Sequence, residues 1–173
     1  MQLPETLTTE RLTIRKFRAE DKPRFIEFMT DKESTKYLEF SATQKTPEGA
    51  SHLLDFILNS YETDEPVFSM AIEDKEHGYI GFCGISKIDD TAWECYYSLN
   101  RKYWGKGFAS EAMLEVIDWC RKNSVIKELR AYLHPENKES EQVAIGLGME
   151  NREIQMHPVF EHKRKLYAME VSS

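Results

Sequence analysis

Gly105-Lys106-Gly107 is the stretch of this chain best suited to grip a charged ligand. Two glycines two apart let the backbone curl so that successive N–H groups converge on one point. A helix pattern opens directly after them at Phe108, Ala109 and Ser110. A helix start adds unpaired N–H groups and the positive end of its dipole. Together these make an anion site suited to a phosphate or pyrophosphate. Lys102 and Lys106 add solvent-exposed positive charge nearby. Gly-x-Gly alone is a common string, and a tight turn that merely starts a helix also explains it.

Two well-known phosphate loops are absent. No GxxxxGK[ST] string occurs, which disfavours a P-loop nucleotidase. A dinucleotide fingerprint would need glycine where Ser110 stands, and an acidic residue where Leu133 and His134 stand. Other residue types offer little chemistry. Cys83, Cys95 and Cys120 are widely spaced and odd in number, which argues against a disulfide framework or a zinc site and fits a reducing compartment. His134 precedes a proline at a strand end and reads as a loop residue rather than a base. His157 and His162 show no metal-ligand spacing. Glu62, Asp64 and Glu65 form an acidic run that is either a solvated helix end or an attractor for a cationic ligand.

With 23 basic and 30 acidic residues the net charge is −7, the wrong sign for a general nucleic-acid binder and a lean toward cationic partners. The first twenty residues are charged and lack an apolar signal region. No run is apolar enough for a membrane span, so a cytoplasmic protein is expected. At 173 residues, 40% of them hydrophobic, one domain over residues 1–173 with its own core is expected.

The elements that must position the glycine loop follow from periodicity. Leu12–Phe17 reads as a strand, and Asp21 as the cap of a helix running to Met29. Thr46-Pro47 opens a second helix, with Ala50, Leu53, Leu54, Ile57, Leu58 and Tyr61 on its buried face. Val67–Ile72, Tyr79–Ile88 and Ala92–Leu99 form an antiparallel meander. Gly81 and Gly84 mark a bulge or a close backbone approach within it. The glycine loop then follows the fourth strand and opens a helix to Lys122. Leu129–Leu133, a short helix capped near Asn137, and strands at Asn151–His157 and Lys165–Val171 complete the chain. The class is mixed α/β: a single mixed sheet with a meander and a parallel strand–loop–helix–strand unit from Glu94 to Leu133.

Four strings in this order resemble one superfamily: Glu94–Leu99, Trp104–Ala112, His134–Ser140 and Gly146–Met149. They are similar to the GNAT acetyl-CoA-dependent N-acetyltransferases, and Leu7–Arg15 resembles the first strand of the ribosomal-protein (Rim-type) branch. The resemblance implies a GNAT fold and coenzyme A binding without a metal. In that family a Q/R-x-x-G-x-G/A loop holds the pyrophosphate through backbone amides. Here it falls on Trp104, Gly107 and Ala109, with Trp104 departing from Gln or Arg. The loop residues from Trp104 through Gly105, Lys106, Gly107, Phe108 and Ala109 to Ser110 are thus the expected coenzyme site. The resemblance further implies that the strand ending at Leu99 splays from Leu129–Leu133. Pantetheine would then lie against the backbone of Tyr97 and Leu99, and Asn137 would touch the coenzyme.

An alkylammonium of pKa about 10.4 is under ~0.1% free amine at pH 7, so the implied transfer benefits from a proton acceptor. A backbone N–H near the splay would hold the oxyanion. Glu94 matches the branch's glutamate and is the candidate base; a solvated strand glutamate is the alternative. The tyrosine that many members use as thiol acid is replaced by Ala144. Ser140, three after Asn137, is the candidate group on the sulfur side. Tyr97 either packs in the core or lines the acceptor slot. The acceptor would be a peptide N-terminus or a small amine, selected by the first two helices and the loop Glu39–Lys45. A homodimer is left open. The alternatives are a non-catalytic acyl-CoA-binding module, kept alive by Ala144, and a binder of nucleotide phosphates.

Overall fold

In the computed structural model, which describes residues 2–123 and 125–171, the alternating Leu12–Lys16 run forms a strand whose apolar side chains are fully covered. It is preceded by a short strand, so β1 is Thr6–Thr8 and β2 is Leu12–Lys16. The meander follows as β3 (Ser69–Asp74), β4 (Gly78–Lys87) and β5 (Ala92–Leu99). β6 is Glu128–Leu133, β7 is Glu150–Met156 and β8 is Lys163–Glu170. One eight-stranded sheet results, in the order β1-β2-β3-β4-β5-β6-β8-β7. Its β5–β6 pair is parallel and its other pairs are antiparallel. The mixed sheet expected from the crossover unit is thus present. With β1 counted, the glycine loop follows the fifth strand rather than the fourth.

Helices cover both faces. α1 (Lys22–Thr30) and α2 (Pro47–Ser60) bury Phe25, Phe28, Leu54 and Ile57 against Ala71, Tyr79 and Phe82. α3 (Phe108–Arg121) and α4 (Lys138–Gly146) bury Met113, Val116, Ile117 and Ala144 against Ile72, Ile85, Cys95 and Leu99. Thr46 caps α2 by accepting from the Gly49 N–H at 3.1 Å, with Pro47 in the first helical position.

Asp21 does not cap α1 with its side chain. Its carboxylate receives both terminal nitrogens of Arg15 (2.8 and 2.9 Å) and the Arg18 N–H (2.8 Å), so a buried ion pair has claimed it. Gly84 is a close approach. A Cβ there would lie 2.0 Å from the Phe68 carbonyl oxygen and 2.4 Å from the Tyr96 hydroxyl.

Candidate active site

β5 and β6 pair at Ala92–Glu128, Trp93–Leu129 and Glu94–Arg130 and then part. β6 stays bound to β8 along its whole length, so β5 is left with a free edge beyond Glu94. The Asn100 N–H donates to the Ile80 carbonyl (2.9 Å), which sets the phase of the β4–β5 ladder. In that phase Tyr97 and Leu99 turn their N–H and C=O groups away from β4 and into the gap, where the Leu99 carbonyl already accepts one side-chain bond. A ladder edge with no strand to pair is a site for an extended, amide-bearing ligand.

The gap opens onto the glycine loop. Gly105 and Gly107 adopt φ of 70° and 78°, left-handed values that a residue with a Cβ rarely takes. Among the described residues, the N–H groups of 105–110 donate to no protein acceptor; Glu111 makes the first helical bond, to the Gly107 carbonyl (3.0 Å). Those amides lie at the positive end of the 14-residue helix α3. Two details depart from expectation. The Trp104 amide is already bonded to the Arg101 carbonyl (3.2 Å), and its indole N–H donates to the Leu99 carbonyl (2.8 Å). Trp104 therefore ties the loop to the strand end and contributes no amide. Lys102 pairs with Glu27 at 2.9 Å.

Behind the loop stands a brace that sequence reasoning missed. Arg11 donates to the Lys106 carbonyl (2.9 Å), pairs with Glu111 (2.7 Å) and lies over the Phe108 ring at 4.4 Å. Thr9 adds a bond to Glu111 at 2.5 Å. These groups are about a hundred positions apart, and no local spacing announces them.

Two cavities meet at the splay. One, of about 540 Å³, runs from the glycine loop along Tyr97, Ser98 and Leu99 to Asn137 and Ser140. The second, of about 340 Å³, lies under α1 and α2 and contains Glu94, Tyr96, Phe82 and His157. Tyr37, Leu38, Tyr97, Asn137 and Ser140 line both. The Asn137 side-chain oxygen caps α4 by accepting from the Ser140 N–H (3.1 Å), which leaves its NH2 group able to face a ligand. Tyr97 donates its hydroxyl to the Ser140 carbonyl (2.8 Å), so the start of α4 is fastened to β5 at the junction.

Glu94 is the last residue of β5 paired with β6, and its side chain is 19% exposed. Burial pushes its carboxyl above the ordinary glutamate value, and a bond from His157 pulls partly back. His157 Nε2 lies 3.1 and 3.2 Å from the two carboxylate oxygens. His157 Nδ1 accepts the N–H groups of Val159 and Phe160, both at 3.1 Å. Only a neutral ring with its proton on Nε2 satisfies all of these contacts, so His157 donates to Glu94. The sequence pointed to Glu94 and dismissed His157; their link spans the whole crossover unit. One local signal existed. Pro158 has no N–H, so a turn at His157 leaves the next two amides to the imidazole.

The remaining candidates divide cleanly. Cys83, Cys95 and Cys120 are buried and free, and burial pushes Cys83 and Cys120 up to about 12 and Cys95 further, so none offers a thiolate near neutrality. His134 stacks on Tyr37 at 4.8 Å. Glu62, Asp64 and Glu65 line neither cavity. Among the described residues no cluster of metal-ligating side chains occurs, and no helix is long and apolar enough to cross a membrane.

A helix-start turn of unbonded amides leading into a groove along an unpaired strand edge suits a pyrophosphate joined to an extended, amide-bearing arm. Comparison with known proteins agrees. Residues 11–150 match the family model described as an acetyltransferase (GNAT) domain. The chain is 35% identical over 139 residues to the uncharacterized N-acetyltransferase p20 of Bacillus licheniformis, covering 79% of this chain and 77% of that one. In fold it resembles the ribosomal-protein-S5-alanine acetyltransferase of Vibrio fischeri, with TM-score 0.77, 21% identity and coverage of 95% and 96%. It also resembles the spermidine N-acetyltransferase of Vibrio cholerae, solved with CoA and spermine, with TM-score 0.76, 14% identity and coverage of 94% and 96%. The chain belongs to the GNAT family and is an acetyl-CoA-dependent acetyltransferase.

Proposed function

We propose that this enzyme acetylates a primary amine, either a protein or peptide amino terminus or a small amine, by direct attack in a ternary complex. The meeting of the two cavities at Tyr97, Asn137 and Ser140 carries this reading. It would set the coenzyme on the glycine-loop side of these shared residues and the amine on the Glu94 side.

Acetyl-CoA supplies a thioester carbonyl and a thiolate leaving group. The amides of 105–110 bind its pyrophosphate, and the ladder edge at Tyr97 and Leu99 orients its arm. Glu94, held by His157, takes the proton that the ammonium must lose. The nitrogen lone pair forms the bond to the acetyl carbon, the carbon–sulfur bond breaks, and its electron pair leaves on sulfur. A thiolate with solution pKa near 8.5 needs little help, and Ser140, which lines both cavities, is the candidate donor to it. Three buried, protonated cysteines support a route without a covalent acetyl-enzyme.

The branch is proposed as Rim-type. Its structural neighbours act on a ribosomal protein in one case and on a polyamine in the other, so fold likeness does not choose between acceptor classes. Thiol release on mixing acetyl-CoA with an amine panel tests the reading. Transfer is expected with at least one amine, with no acetylated enzyme by mass spectrometry. Tight CoA binding without thiol release on any amine would sink it.

A further inference from the structure

Resting on the acetyl-transfer reading, we propose that the acceptor is a small primary amine with a single ammonium and an apolar, aromatic body. The 340 Å³ cavity at Glu94 is where it would sit. Three observations converge on that class.

The first is room and lining. An apolar cavity of about 150 Å³ takes one benzene ring, so this one has space for an aromatic ring and a short amine-bearing chain. Its walls include Leu38, Phe40, Leu53, Phe56, Phe82 and Phe160. Phe82 anchors the aromatic part, with ring centroids of Phe28 at 5.4 Å, Phe40 at 6.2 Å and Tyr96 at 6.4 Å.

The second is charge. The carboxylates lining this cavity are Glu39 and Glu94. Glu39 is ion-paired with Arg164, so its charge is spent. Glu94 faces a neutral imidazole and keeps its charge for the ligand. One open carboxylate suits one ammonium. A polyamine would bring two or three, and the acidic run at Glu62, Asp64 and Glu65 lines neither cavity. A second ammonium would find no open carboxylate among the lining residues.

The third is the rim. Phe56 and Phe160, 62% and 45% exposed, leave large apolar faces in water at the cavity wall. An aromatic body would cover them, and the hydrophobic gain supplies selectivity for it.

The reaction balances without a further reagent. The ammonium R–NH3+ and the thioester give the N-acetyl amide, the free thiol and one proton. Of the two protons the nitrogen loses, one ends on sulfur and one leaves through Glu94 to solvent.

The test is a selectivity measurement by thiol release with 2-phenylethylamine, ethylamine, spermidine and a short peptide with a free amino terminus. 2-Phenylethylamine should exceed each of the others in kcat/KM by about tenfold or more. Phe56→Ala, a change on an exposed helix face that should leave folding intact, should cut the preference for 2-phenylethylamine over ethylamine about fivefold. Preference for spermidine or the peptide would overturn the acceptor class while leaving acetyl transfer standing. An unchanged preference in Phe56→Ala would overturn the placement in this cavity. Thiol release with none of the amines, despite a thermal shift with acetyl-CoA, would overturn both this proposal and the reading beneath it.

Discussion

His157 Nε2 donates to the Glu94 carboxylate at 3.1 Å while its Nδ1 is occupied by two backbone N–H groups. The imidazole is therefore a fixed donor to Glu94, with both ring nitrogens engaged. Its service is to hold Glu94 in place and to favour the carboxylate form. His157→Phe should lower kcat about tenfold, the equivalent of about 1.4 kcal/mol and near the worth of a hydrogen bond to a charged group. Its acid limb should move to higher pH, since burial of Glu94 would go unopposed. His157→Gln, which can still donate, should restore part of both. A loss of kcat with an unmoved limb would reduce His157 to a packing residue.

With Glu94 proposed as the base, its own titration should set the pH profile. Burial raises its pKa, so it becomes protonated, and useless as a base, at a higher pH than an exposed glutamate would. Activity should thus fall on the acid side from above the ordinary glutamate range. Glu94→Gln should lose about 10²- to 10⁴-fold in kcat with acetyl-CoA affinity retained. The deficit should shrink as pH rises toward the amine's own pKa, because the acceptor then arrives deprotonated. Rates measured from pH 5 to 10 decide it; a constant deficit would remove Glu94 from proton transfer.

How much of this was readable beforehand depends on the range of the interaction. α2 was legible because Thr46, Pro47 and the recurrence from Ala50 to Leu58 are local, and the meander was legible because its strands are sequential neighbours. The glycine loop was legible because left-handed backbone demands glycine. β1 was not, since three residues carry no period. Asp21 looked like a cap because its competitor, Arg15 six positions earlier on β2, is no part of a helix-start pattern. Arg11, Glu111 and His157 escaped because each acts on a residue 63 to 100 positions away that only the fold brings near.

At Gly107 the expectation is loss of coenzyme binding. Its φ of 78° penalises any Cβ, and a β-branched one most. Gly107→Val should weaken CoA binding by at least about tenfold, since forcing left-handed backbone costs about 1–2 kcal/mol before any loss of amide alignment. Isothermal titration with CoA checks it, and wild-type affinity would refute the anion-loop assignment.

The ion pair of Arg15 with Asp21 concerns stability rather than catalysis. Both residues are 6% exposed, and Arg15 also reaches Glu73 at 2.6 Å. Removing the guanidinium strands a buried carboxylate, so Arg15→Met should cost about 3–5 kcal/mol in urea unfolding. Replacing both, as Arg15→Met with Asp21→Leu, removes the stranded charge and should recover much of that loss. A double variant no better than the single one would mean that the helix entry at Arg18, rather than the buried charge, sets the penalty.

Arg11 reaches the cradle from behind, so its effect should be confined to the coenzyme. Arg11→Gln breaks the Glu111 ion pair and loosens the Lys106 carbonyl, yet removes none of the amides of 105–110. The Arg11 side chain is 43% exposed, so its ion pair is screened and worth at most about 1 kcal/mol. KM for acetyl-CoA should therefore rise about three- to fivefold, while kcat at saturating coenzyme stays near wild type. Glu111→Gln should reproduce the effect, and the double variant should add little to either single change, because the two side chains act through one contact. Additive losses would mean that Arg11 touches the coenzyme directly instead of bracing the loop that holds it.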